Sequence, residues 1–175
     1  VNSTLVFTFI GADRPGLVER LADIVTAHRG NWLESRMVQL AGQFAGIAKV
    51  ELPTAKLDGF STALHALTED GLAVTLQTGS QKHHNSLDTQ ALYVLGPDRT
   101  GIVLEIGRAL KQGQINVREM SSNVTSAPMS GDPLFEARFL VEIPPETALD
   151  ELFDQLDEIA EKLGVDISTD EPERR

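Results

Sequence analysis

Apolar residues along this chain follow two rhythms, and the rhythms recur in the same order twice. Leu5 to Ile10 and Ala91 to Leu95 are short runs rich in aliphatic and aromatic side chains, the pattern of a buried strand. Each run meets a glycine-bounded turn, Gly11-Ala-Asp-Arg-Pro-Gly16 and Gly96-Pro-Asp-Arg-Thr-Gly101. The spacing then changes to threes and fours. Leu17, Val18, Leu21, Ile24 and Val25 form one apolar stripe, and Ile102, Val103, Ile106, Ala109 and Leu110 form the other, each predicting an amphipathic helix. Asp13 and Asp98 fall where an N-cap is expected, with Pro15 in the first helical turn. Gly30 and Gly113 lie near the helix ends, and a second strand is expected from Asn31 and from Asn116. Gly42-Gln43 predicts a two-residue hairpin turn into a strand over Phe44 to Leu52, which Pro53 stops. A further helix is marked by Leu57, Phe60, Leu64 and Leu67, and in the second half by Leu149, Leu152, Phe153, Leu156, Ile159 and Leu163. Short strands over Leu72 to Gln77 and Val165 to Ser168 close the two halves.

The halves are copies. Sliding the chain by 85 positions superposes Gly11, Asp13, Arg14, Gly16 and Val18 on Gly96, Asp98, Arg99, Gly101 and Val103, and carries Asn31 onto Asn116 and Glu34 onto Glu119. Phe44, Glu51 and Pro53 match Phe135, Glu142 and Pro144 at an offset of 91, so the second copy holds six extra residues, expected in the turn-rich loop Ser126 to Pro133. The element order is βαββαβ twice. The predicted fold is α+β: two ferredoxin-like units, each an antiparallel four-stranded sheet with two helices on one face. Domain bounds are expected at 1–79 and 90–170, separated by a polar linker at 80–89 and followed by a charged tail at 171–175. A unit with one bare sheet face tends to pair, so a homo-oligomer is expected.

Charge changes the picture next. The 175 residues carry 15 Lys and Arg against 26 Asp and Glu, a net charge of −11. Residues 1–85 hold seven basic and eight acidic side chains (net −1), and residues 86–175 hold eight basic and eighteen acidic (net −10). Such a surface repels phosphate backbones, so direct nucleic-acid binding is not expected. With no cysteine there is no disulfide framework, thiolate metal site or cysteine nucleophile, and the expected location is the cytoplasm. No apolar run of about 20 residues is present to span a bilayer.

Candidate chemistry concentrates at the repeated turns. The first amides of a helix lack intrahelical partners and carry a positive dipole, which suits a carboxylate. Asp13 or Asp98 could pair with an α-ammonium group, Arg14 or Arg99 could clamp an anion, and Asn31 or Asn116 could supply an amide contact. The candidate ligand-binding set is therefore Asp13, Arg14, Pro15, Gly16, Leu17 and Asn31, with Asp98, Arg99, Thr100, Gly101, Ile102 and Asn116. Together these suit a small zwitterion. The same letters also serve structure alone: Asp as N-cap, Gly as turn former, Asn at a strand entry. Thr100 in place of Pro15 makes the two turns unequal. His83-His84 lacks a third ligand at metal-site spacing, so neither a metal nor a cofactor is expected. His28 and His65 read as surface or boundary residues, and Trp32 as a packing residue. The acidic face of the last helix (Asp150, Glu151, Asp154, Asp157, Glu158, Glu161) is a solvated face or a dock for a basic partner.

The βαββαβ unit with its Gly-x-Asp-Arg-x-Gly turn, and Asn opening the second strand, resembles the ACT domain, and the resemblance covers both copies. It implies a non-enzymatic regulatory module that binds amino acids. Two such units with no catalytic domain and no helix-turn-helix further resemble repressors that leave DNA to a separate DNA-binding transcription activator, with glycine as the implied signal. Two other readings stand beside it. Acylphosphatases share the ferredoxin-like fold and use an Arg and an Asn, which Arg14 and Asn31 could imitate, although the longer glycine-rich cradle is missing. A ligand-free interaction scaffold is the other.

Overall fold

The computed structural model describes residues 1–79, 88–145 and 149–169. It divides into two compact units, Val1–His83 and His84–Arg175. Most of the expected linker, including His83 and His84, and the expected tail at 171–175 lie outside the described residues.

In the first unit the order is β1 (Asn2–Ala12), α1 (Leu17–Ala27), β2 (Asn31–Leu40), β3 (Gln43–Pro53), α2 (Leu57–Ala66) and β4 (Leu72–Thr78), with short 3-10 turns flanking α2. The second repeats it with β5 (Asp88–Pro97), α3 (Ile102–Gln112), β6 (Asn116–Ser126), β7 (Pro133–Ile143), α4 (Leu149–Leu163) and β8 (Asp166–Ser168). Asp88 and Thr89, expected in the linker, already pair with Ile143 and Glu142. The sheets run β2-β3-β1-β4 and β6-β7-β5-β8, every neighbour antiparallel. Both are the predicted ferredoxin-like arrangement.

The registers confirm the two offsets found in the sequence. Asn31 pairs with Glu51 and Asn116 with Glu142, and both edge strands carry an irregularity at the same place, between Trp32 and Glu34 and between Val117 and Glu119. The six extra residues lengthen the second hairpin, which closes through residues 127–132. In the first unit the hairpin turn is Ala41-Gly42, with φ of 49° and 76°. That is one residue earlier than expected, because a twist-matched two-residue turn needs positive φ at both central positions.

Period-two alternation sends Leu5, Phe7 and Phe9 of β1 and Ala48, Val50 and Leu52 of β3 to the helix-covered face. There they meet Leu17, Leu21 and Val25 of α1 and Phe60 and Leu64 of α2. Leu92, Val94, Phe139, Val141, Ile102, Ile106, Leu110, Leu152 and Leu156 do the same in the second unit. Val18 and Val103 do not join these cores and remain exposed, one step round each helix from the buried stripe.

The first glycine of each repeated turn has a packing duty. A Cβ on Gly11 would lie 2.8 Å from the Gly71 carbonyl oxygen, and one on Gly96 would lie 2.8 Å from Val165 Cα. Backbone cannot yield as a side-chain tip can. Gly11→Ala should therefore destabilise the first unit by about 1–3 kcal/mol, the usual cost of overpacking. Urea unfolding followed by the fluorescence of Trp32, the sole tryptophan, measures this, and an unchanged midpoint would remove the packing role.

Candidate functional site

The strand-to-helix turns are built alike in both units. The Asp13 amide donates to the Gly42 carbonyl and the Asp98 amide to the Pro133 carbonyl, each at 2.9 Å, fixing the turn to the neighbouring hairpin. The helices begin three residues further on. Their N-caps are Gly16 (φ 88°) and Gly101 (φ 100°), with no side-chain cap. The expected capping by Asp13 and Asp98 is thus overturned, and Pro15 and Thr100 precede the cap instead of entering the first turn. The left-handed glycine completes the chain reversal itself, a conformation costing an L-residue about 1–2 kcal/mol. A Cβ on Gly101 would meet nothing within 4 Å, and one on Gly16 only Glu19 Oε2 at 3.9 Å. These glycines are required by backbone conformation, and the space beside them is open.

Leu17 and Ile102 belong to the cores, so only their backbone amides can serve a ligand. Asp13 and Asp98 are exposed, and among the described residues no hydrogen bond or ion pair reaches either carboxylate.

The arginines have a different employment. Arg14 Nη2 donates to the Asp70 carbonyl at 2.9 Å, and Arg99 Nη2 donates to the Lys162 carbonyl at 2.9 Å. In both units the turn is tied to the C-terminal end of the second helical segment, just ahead of a positive-φ glycine, Gly71 or Gly164. A cation at a helix end meets orphan carbonyls and the negative pole of the dipole. The sequence allows these arginines an anion-clamping role, and in the structure Nη2 of each is engaged in the tether. An arginine in the first turn and a glycine closing the second helical segment recur in both units, although at different offsets (85 and 93).

Beside each tether lies an ion pair of opposite polarity. Arg20 bonds the Asp70 carboxylate in the first unit. At the position matching Arg20, the second unit has Glu105, which faces Lys162 at 3.5 Å and Arg108 at 3.1 Å. The hydrogen bond and charge of Arg20, with a smaller contribution from Arg14, hold the Asp70 carboxyl below the usual carboxylate range.

Asn31 and Asn116 are not brought to these turns within their own units. Asn31 pairs with Glu51, itself opposite Thr4, while the turn follows Ala12 eight residues along β1. At about 3.3 Å per residue the separation is about 26 Å. In the second unit Asn116 Nδ2 donates to Glu142 Oε2 at 2.9 Å. Glu142 is buried and also faces Arg118 at 3.8 Å. The Arg14 and Asn31 pair needed for acylphosphatase-like chemistry is therefore not assembled inside the unit.

His28 Nδ1 bonds the Ile24 carbonyl at 2.8 Å, with its ring against Phe60, and His65 Nδ1 bonds the Ser61 carbonyl at 2.7 Å. Trp32 packs edge-on to Phe7 with centroids 5.9 Å apart. Among the described residues no group of three or more His, Asp or Glu side chains could hold a metal ion, and no helix is long and apolar enough to cross a membrane.

Residues 3–77 match the family model of the ACT domain. The chain is 30% identical to an unknown protein from Galdieria sulphuraria whose solved structure it matches with a TM-score of 0.84, over 96% of this chain and 97% of that one. A "putative glycine cleavage system transcriptional repressor" has the same fold, with a TM-score of 0.71 and 22% identity over 96% of each chain. No curated protein sequence matches significantly. The first unit matches the ACT-domain family model, and the two units form a tandem ACT-like fold.

Two measurements check the architecture of the turns. The carboxyl of Asp70 is held below its ordinary value, so its pairing stabilises the fold above the unfolded pKa and the contribution is lost as pH falls through the folded one, in a window below about pH 4. Urea midpoints at about pH 7 and about pH 3 should fall less for Asp70→Asn than for the parent, by a small margin because the pair is exposed; equal falls would contradict the pairing. Gly101→Ala should cost about 1–2 kcal/mol through its positive φ alone, read from the far-ultraviolet melting curve, and a neutral result would mean that the turn relaxes to another conformation.

Proposed function

We propose that this protein is a non-catalytic regulator that senses a small amino acid, glycine foremost, and acts on transcription through a separate DNA-binding activator. The observation that carries the reading is the state of Asp13 and Asp98. Gly11, Arg14 and Gly16, with their counterparts Gly96, Arg99 and Gly101, are each accounted for by packing, tethering or backbone conformation. The aspartate between them recurs in both units, exposed, its carboxylate bonded to none of the described residues. An exposed carboxylate beside the open amides of a helix start offers both halves of a zwitterion a partner: the ammonium meets the aspartate and the carboxylate meets the helix amides. The ACT-domain match of the first unit and the fold shared with the 22% identical relative support the regulatory part of the reading.

The turns are unequal as receptors. Glu19 stands at the start of α1, its carboxylate 3.9 Å from the Cβ position of Gly16, whereas the matching residue in α3 is the exposed Leu104. A ligand carboxylate meets at the first turn a Glu19 with no ion pair among the described residues, whereas the acid in the first turn of α3, Glu105, is paired with Arg108 and Lys162. The second turn is the preferred receptor. Bound ligand then shifts the affinity for the activator only as far as it binds one state of the protein more tightly than another.

Thermal unfolding against a panel of amino acids tests this. At about 100 times its Kd a ligand of the native state adds about 2.7 kcal/mol, which raises Tm by on the order of 10 °C. Glycine or a few small amino acids should do so, and Asp98→Asn should weaken the binding by about 10- to 100-fold through loss of a charge-assisted bond, more than Asp13→Asn does. A flat panel would favour the ligand-free scaffold, and a shift indifferent to both variants would place the ligand elsewhere.

A further inference from the structure

The two sheets end differently at one edge. In the first unit β4 is seven residues long and covers β1 from Leu5 to Gly11. In the second, β8 is three residues long and covers β5 only from Tyr93 to Leu95. At the offset of 85, Leu5, Val6 and Phe7 correspond to Gln90, Ala91 and Leu92. These three pair with β7 on one side and, among the described residues, with no strand on the other. An open edge of this kind is a template for a further strand.

The shortened strand also leaves a side-chain place unfilled. In the first unit Leu76 lies opposite Phe7 and packs on the core from the sheet edge. In the second, Ile167 repeats the role of Val74, but no strand residue stands opposite Leu92 where Leu76 would be. The N-terminal half of α4 lies at this end of the sheet: β7 ends opposite Asp88, and Leu152 is 3.6 Å from the Cβ position of Gly113, just ahead of β6. Leu152 and Leu156 face the core, and Lys162 faces α3, where it meets Glu105 at 3.5 Å. At about 100° per residue, Asp150, Phe153, Asp154 and Asp157 then fall on the opposite flank, toward the open edge. Phe153 is half-buried, and the three aspartates are exposed with no ion pair among the described residues.

We propose that the edge of β5 over Asp88 to Leu92 is the docking site of a protein partner, which adds an extended segment rich in Lys or Arg to the second sheet as a further strand. Charge selects the occupant. Residues 86–175 have a net charge of −10, and the aspartates of α4 flank the edge, so opposite charge steers and holds the incoming segment. A second copy of this chain, net −11, is repelled, as are nucleic acid and an anionic membrane. The chain's own sequence beyond Ser168, Thr-Asp-Glu-Pro-Glu, is the wrong kind: it would bring acids to acids, and Pro172 has no N–H to give a strand. Side chains alternate along a strand, so an apolar residue opposite Leu92 would take the place of Leu76 beside Phe153. A Lys or Arg two residues on, opposite Gln90, would rise on the same face toward Asp150 and Asp154. Main-chain bonds supply affinity, and these two positions supply selectivity. The edge lies at the far end of β5 from the strand-to-helix turn, and the inference is independent of the ligand reading.

Fluorescence anisotropy of labelled peptides added to the full chain tests it. The probe is acetylated Leu-Thr-Lys-Thr-Arg-Thr, with Ile, Val or Phe also tried in place of the leucine. One control carries Glu for Lys and Arg, and another has every backbone amide N-methylated. The basic peptides should bind and both controls should not, and binding should weaken as salt rises from about 20 mM to about 500 mM. In the labelled protein the amide shifts should centre on Thr89 to Leu92. Asp150→Asn with Asp154→Asn and Asp157→Asn, all at exposed positions, should weaken binding by roughly 3- to 30-fold, because each exposed charge contact contributes little. Asp23→Asn with Asp58→Asn and Glu69→Gln removes as many charges from the first unit and should leave binding unchanged. Failure of every basic peptide to bind at about 1 mM would overturn the proposal. Equal binding of the N-methylated peptide, or equal weakening by the two triple substitutions, would overturn it by reducing the contact to unspecific charge. Binding seen only after removal of residues 170–175 would overturn it by giving the edge to the chain's own end.

Discussion

The close approach of the first strand of each unit to the chain leaving its second helix is the constraint on which the rest hangs. Gly11 lies against the backbone of Gly71 and Leu72, and Gly96 against that of Val165. No side chain could stand there. With the strand end so placed, the arginine three residues on reaches the final carbonyls of the second helical segment, Asp70 in one unit and Lys162 in the other. The turn is then held on three sides: by sheet pairing, by the hairpin carbonyl that accepts from the aspartate amide, and by the arginine tether. A left-handed glycine follows and launches the helix. The aspartate side chain is left over, held in position by its neighbours and bonded to none of the described residues.

Much of this was legible in the sequence because the chain states it twice. The strand order, the two helices per unit and the six-residue extension of the second hairpin all follow from periodicity and two fixed offsets. Local geometry was less legible. Asp13 before a helix looks like an N-cap, but a positive-φ glycine three positions later is an equally good start and leaves no letter to distinguish the two. At the helix ends it is Arg29 and Gln114 that adopt positive φ, and not the neighbouring Gly30 and Gly113. Gly30 instead serves close packing, its Cβ position lying 2.9 Å from the Val25 carbonyl oxygen.

Long-range placement was the least legible part. Asn31 follows the first helix by a few residues and appears near the turn on paper, but the helix returns the chain to the far end of the sheet before the second strand begins. The ion pairs beside the tethers have inverted polarity between the units, Arg20 with Asp70 against Glu105 with Lys162, which no single-position comparison shows. Such an inversion preserves the link between helices while changing the field around each turn. Glu19 against Leu104, and the full edge strand of the first sheet against the short one of the second, point the same way. The architecture is common to both units, and the surfaces differ.

The most direct test is to follow the backbone amide resonances of the isotope-labelled protein while glycine is added to millimolar concentration. Shifts centred on Gly101 to Val103, with smaller ones at Gly16 to Val18, are the predicted result. Saturable shifts confined to the sheet faces, or none at any residue, would contradict a ligand site at the strand-to-helix turns.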